Sequence, residues 1–324
     1  MKRRAFFKKA AASAFGFYAF PRLVLSGNET SQNGAAVVEI KTQFMNPKAI
    51  CLDGAGNIYS GCCGWVSGLE KFQKSDAGNA YVKAWAVDKI KIRGIALESS
   101  GNICVTNEVD STQGIKVFAH DGKLLESWGS NGIENGQFCG PTGIVANGKN
   151  EIYVVESSKW GANGGPGQRV QKFGPDGKFL LKWGSEGGNP GQFNLPTGMA
   201  LDRQQNVYVA DSYNCRIQKF SPDGKFLAAW GGYGSGDGQF NCPQGIAIDR
   251  ADNILVADTY NNRILQFTAN GDFVAKWGRQ GSGKGEFWLP CGIAVDNDGT
   301  VYVADTMNNR LQVFKHLVKG AQKT

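Results

Sequence analysis

The chain has 324 residues and a formal net charge of +7, with 45 glycines, 10 prolines and eight tryptophans. Abundant glycine with modest proline argues for many tight turns rather than disorder, and the aromatic content supplies a core that needs no disulfide or metal to stay folded. Lys2, Arg3, Arg4, Lys8, Lys9 and Arg22 all precede the first acid; without them 29 bases face 28 acids, which removes any general electrostatic footprint for nucleic acid.

The first segment reads as an address rather than as structure. Arg3-Arg4-Ala5-Phe6-Phe7-Lys8 resembles the twin-arginine export motif. An apolar run from Ala10 to Phe20 follows, about half the ~20 residues a bilayer crossing needs, and Pro21 ends it. Residues 1–34 are therefore expected to be a signal and linker, residues 35–316 the folded domain and residues 317–324 a tail. The expected location is the periplasm or cell exterior, with membrane contact only through the signal if it stays uncleaved.

The remainder repeats itself. Trp128, Trp183, Trp230 and Trp277 each precede a glycine, and ten residues after each stands Phe138, Phe193, Phe240 or Phe287. Pro141, Pro196, Pro243 and Pro290 follow three residues later, then Gly143, Gly198, Gly245 and Gly292. Each Pro-x-Gly leads into an alternating strand, a turn rich in Asp, Asn and Gly, and a second strand such as Val301–Asp305. Two weaker copies come first, one marked by Phe44, Pro47 and Trp85, the other by Gly94 and Trp128 with Ile92 in place of the proline. Six units of four period-two strands predict an all-β, six-bladed β-propeller with four-stranded antiparallel blades. The sixth unit lacks its fourth strand. Val37–Lys41 alternates suitably and is expected to close the ring as the outer strand of the last blade.

Pro290–Phe314 and Pro243–Phe267 closely resemble the NHL repeat, Pro196–Phe220 resembles it well, and the first three units do so in part. The resemblance implies a six-bladed propeller used for protein, glycan or RNA recognition, or occasionally as a lyase scaffold. Propeller lyases rely on histidines around a metal, whereas this chain has only His120 and His316.

The topology places the end of each second strand on one loop face, called here the upper face. Cys62, Asn107, Glu156, Asp211, Asp258 and Asp305 are expected to ring the channel there, where acids suit a hard cation such as Ca²⁺. Arg216, Arg263 and Arg310 follow the three aspartates at a fixed offset of five, which favours internal ion pairs instead. Six cysteines (Cys62, Cys63, Cys139, Cys215, Cys242 and Cys291) map to this face, while Cys51 and Cys104 belong to strands. Disulfides, inert thiols and a metal site on Cys62, Cys63, Cys291 and Glu156 are the competing readings. Trp160, in a glycine-rich insert between Glu156 and Arg169, is a candidate ligand contact. Gly278–Gly285 nearly spells a phosphate loop but leads into a strand, so it is a connection.

Three functions follow. The first is a non-catalytic recognition or scaffold module for a protein or polysaccharide partner, as an accessory subunit of an extracytoplasmic redox complex. The second is a metal-dependent lyase or hydrolase acting at the channel mouth. The third, RNA binding, is opposed by the near-neutral charge.

Overall fold

A computed structural model describes residues 29–30, 36–74, 81–107, 113–157 and 167–315. The export-like segment up to residue 28, Trp160, His316 and the C-terminal tail lie outside the described residues.

The described residues form six antiparallel sheets around a central channel. In each of the first five blades the strands lie in chain order from the channel outward, as in blade 4: Pro196–Leu201, Val207–Asp211, Arg216–Phe220, Phe226–Gly231. Blade 6 takes Pro290–Val295, Val301–Asp305 and Arg310–Lys315 from the end of the chain and Ala36–Lys41 from its start. That closing strand pairs along its whole length, from Ala36 opposite Lys315 to Lys41 opposite Arg310, and a salt bridge from Arg310 to Glu39 adds to the union. Glu29–Thr30 then pairs outside it, opposite Val37 and Ala36, so the sheet begins before residue 35.

The core lies between blades rather than within them. Each of its six apolar clusters draws on two neighbouring blades; Val154, Phe173 and Phe138, for example, pack against Cys104, Ile115 and Val117. The repeat phenylalanines Phe138, Phe193, Phe240 and Phe287 are fully buried in these seams. The tryptophans lie across them, with Trp128 centred 4.9 Å from Phe173 and 6.0 Å from Phe138. A buried Phe removed to Ala costs about 3–5 kcal/mol, so these four positions specify the seams strongly.

The glycine of Pro-x-Gly has a steric cause. A Cβ on Gly245 would sit 2.1 Å from the Cys291 carbonyl oxygen of the next blade, and one on Gly198 would sit 2.0 Å from that of Gln244. Inner strands thus approach around the channel more closely than any side chain allows. Blade 1 carries Ala49 at this place.

Candidate functional site

The channel is lined by the second, third and fourth residues of each inner strand. Its mouth on the upper face is a ring of the variable second residue: Lys48, Arg93, Thr142, Thr197, Gln244 and Cys291. Two are cationic and adjacent, on blades 1 and 2. The Lys48 ammonium donates to Cys291 Sγ at 3.2 Å, across the seam where the ring closes. Cys291 is buried, Lys48 is half-buried and Arg93 is exposed. The mouth is therefore polar and positive, with a buried thiol on one side.

Beside it a second cavity of 280 Å3 opens between the loops of blades 5, 6 and 1. Lys48, Gln244 and Cys63 line it, together with Tyr260 and Met307. Exposed aromatic and apolar side chains spread over the same face. Trp65 is 99% exposed on the second-to-third-strand loop of blade 1, while Tyr213, Tyr260 and Met307 occupy equivalent turns of blades 4 to 6. Met45 and Trp288 stand on the loops that enter blades 1 and 6. Val66 adjoins Trp65 on its loop, and the other exposed large apolar residues belong to outermost strands or blade connections, such as Leu180, Leu227 and Tyr233. The apolar surface on the turns thus gathers on the upper face, over blades 4, 5, 6 and 1.

The residues expected to ring the channel are placed differently. Asp211, Asp258, Asp305, Glu156 and Cys62 are completely buried, and Asn107 nearly so. Asp305 accepts from Arg310 Nε at 2.7 Å, Asn308 Nδ2 at 2.9 Å, Gln312 Nε2 at 3.0 Å and the Trp288 backbone N–H at 2.7 Å. Asp211 and Asp258 have the matching arginine, asparagine and backbone donors. The arginines in turn donate to carbonyls of the connecting loop, as Arg263 does to Ser235, Gly236 and Gln239. Each acid is therefore a strut that ties the entry loop to its blade. Burial raises the Asp211, Asp258 and Glu156 carboxyls above their usual range, and these donors pull them back.

Glu156 belongs to the same scheme. Arg169, on the far side of the insert, reaches it at 2.9 Å, with Gln171 at 2.7 Å and the Cys139 N–H at 2.8 Å. Blade 1 departs from it. Cys62 stands at the aspartate position, and the acid moves to the third strand as Glu70, opposite Ser60, where Gln218 stands in blade 4. Glu70 accepts the Gln43 N–H at 2.8 Å and is pushed up to about 7, chiefly by burial.

Among the described residues no group of three His, Cys, Asp or Glu side chains is poised to hold a metal, and none of the eight cysteines is in a disulfide. The metal candidates are dispersed: Cys62 and Glu156 are sealed inside blades 1 and 3, Cys63 borders the second cavity, and Cys291 lines the channel. His120 is exposed on the turn joining the outer two strands of blade 2, away from the mouth.

A family model described as a 6-bladed beta-propeller matches residues 251–316, and an NHL repeat model matches residues 193–220. The chain folds as a six-bladed propeller, and one segment of it matches the NHL repeat. Peptidylglycine alpha-amidating monooxygenase of Rattus norvegicus is 33% identical to the propeller over 132 residues, which are 38% of this chain and 13% of that protein. NHL repeat-containing protein 3 of Homo sapiens is 29% identical over 109 residues, 32% of this chain and 29% of that protein. The match thus spans a minor part of either relative. Among solved structures, a streptogramin B lyase superposes with a TM-score of 0.57 at 13% identity, covering 87% of this chain and 97% of that one. An auxiliary nutrient binding protein from Bacteroides thetaiotaomicron does so with 0.60 at 14%, covering 84% and 69%. At such identities the likeness is one of fold, and one fold serves unlike chemistries.

Proposed function

We propose that this propeller is a non-catalytic recognition module that takes a protein partner on its upper face. The observation that carries the reading is the crescent of Trp65, Tyr213, Tyr260, Met307 and Trp288 beside a mouth holding Lys48 and Arg93. Aromatic anchors around a cationic centre suit a partner segment that pairs an apolar side chain with a carboxylate. NHL propellers generally mediate protein interactions, which supports the reading in a general sense. The Arg3-Arg4 motif supports an extracytoplasmic setting, where an accessory role in a redox assembly fits export of a folded subunit. A lyase reading has less to draw on. One virginiamycin B lyase structure is described as inactivated by replacing a histidine with alanine, whereas His120 here is remote from the mouth.

The test places a photo-crosslinking amino acid at Trp65 and, as a control, at Asp121 on the lower face, in cells that produce the protein natively. The expected result is one dominant protein adduct from position 65, none from position 121, and at least a tenfold loss in affinity of the purified pair with Lys48→Ala and Arg93→Ala. Equal adducts from both positions, or affinity unchanged in both variants, would defeat the proposal.

A further inference from the structure

Four of the six seams between blades close on the upper face by one repeated hydrogen bond. In these, a residue at the entry to the third strand offers a side-chain amide oxygen, and the backbone N–H just before the inner strand of the next blade donates to it. Gln113 receives the Gly140 N–H at 2.8 Å, and Gln168 receives that of Leu195 at 2.5 Å. Asn262 receives the Leu289 N–H at 2.8 Å, and Asn309 receives that of Asn46 at 2.8 Å. At the seam from blade 4 to blade 5 both places are cysteine, Cys215 and Cys242.

The backbone there is that of the two seams that follow it, from blade 5 to blade 6 and from blade 6 to blade 1. Cys215 has φ +52° and Cys242 φ +56°, against +54° and +51° for Asn262 and Leu289 and +51° and +57° for Asn309 and Asn46. The left-handed conformation favours Asn and gives no advantage to Cys, so conformation does not account for two thiols in facing slots. An amide oxygen lies about 3 Å from its own Cα, so the bond between Asn262 and Leu289 holds the two Cα atoms within about 7 Å, close to the span a disulfide accepts. Both thiols are nearly buried, at 8% and 7% exposure.

We propose that Cys215 and Cys242 form a disulfide under oxidising conditions and staple blade 4 to blade 5 where four other seams use an amide. The chemistry is two successive thiol–disulfide exchanges. One thiolate attacks an external disulfide and releases one thiol; the second thiolate then attacks the mixed disulfide and releases the other. The pair loses two electrons and two protons, and the external disulfide gains them. Burial, together with the neighbouring Cys215 and Cys291, pushes the Cys242 thiol up to about 12, so thiolate is scarce once the seam has closed. The bond therefore forms during folding, and a native staple resists exchange afterwards.

Refolding the protein with oxidised glutathione or with dithiothreitol, then alkylating it unfolded and mapping peptides by mass, tests this. Oxidative refolding should leave Cys215 and Cys242 unalkylated in one linked peptide and raise the melting temperature by roughly 5 °C over the reduced form. Cys215→Asn supplies the amide of those four seams, so it should stay folded and melt identically in both conditions. Alkylation of all eight cysteines after oxidative refolding, or a linkage of Cys242 to Cys291 instead, would overturn the proposal. The test supplies its own oxidant, so it stands apart from the location of the chain and from the nature of the partner.

Discussion

Blades 4 and 6 solve a problem that blade 1 solves with different residues. In both, an aspartate ends the second strand, with an arginine, an asparagine and a glutamine converging on it. In blade 1 the second strand ends in Cys62, and the single acid sits one strand further out as Glu70, with a backbone N–H as its donor. The difference teaches that the fold asks for an anchor on the entry loop rather than for a particular ion pair. It also separates a blade held by charge from one held by burial and a lone carboxyl.

The largest expected contrast comes from deleting each anchor. Asp211→Ala strips the Arg216 guanidinium of its carboxylate against the blade and should cost about 3–5 kcal/mol, read as a lowered denaturant midpoint. Cys62→Ala removes only a small buried group and should cost about 1 kcal/mol. Equal losses would erase the distinction between the two blades.

A smaller effect tests the blade 1 carboxyl by pH. With its pKa near 7 in the folded chain and about 4.3 unfolded, Glu70 keeps a proton that the unfolded chain releases, so stability falls as pH rises between those values. Glu70→Gln, which installs the residue of blades 3, 4 and 6, should remove this slope and gain about 2 kcal/mol at pH 8. An unchanged slope in parallel melts at pH 5 and pH 8 would show that Glu70 is not its source.

The repeat frame was largely legible in the residues. The Trp-Gly to Phe to Pro-x-Gly spacing, the four strands per unit and the closing strand all appear, because each is carried by large or conformationally special residues. The site was less legible. Asp211, Asp258 and Asp305 drew attention as acids recurring in register, yet burial turns them into struts, which sequence spacing alone does not reveal beyond the arginine offset. Lys48 and Arg93 carry a weak signal of their own: in a frame of recurring Pro and Gly, the second residue of the inner strand varies freely and faces the channel. Glu70 left no trace, because its meaning depends on strand pairing. Nothing in the repeat pattern distinguishes Trp65, Tyr213 and Tyr260 from other turn residues; their exposure does.

The least effect is expected from the crescent itself. Trp65→Ala and Tyr260→Ala should each shift stability by less than about 0.5 kcal/mol, since the first side chain has almost no packing to lose and the second is half exposed. A larger loss on thermal melting would mean that these rings brace the loops.

Closure by Ala36–Lys41 against Arg310–Lys315 sets the order of events during synthesis. Among the first strands made, it meets its partner among the last, so five blades wait on a contact that spans nearly the whole described chain. Such a contact carries a large loop-closure entropy and belongs late in folding. Until then the ring is an open arc with an unpaired edge, a state in which the closing strand of a second copy can compete with the chain's own.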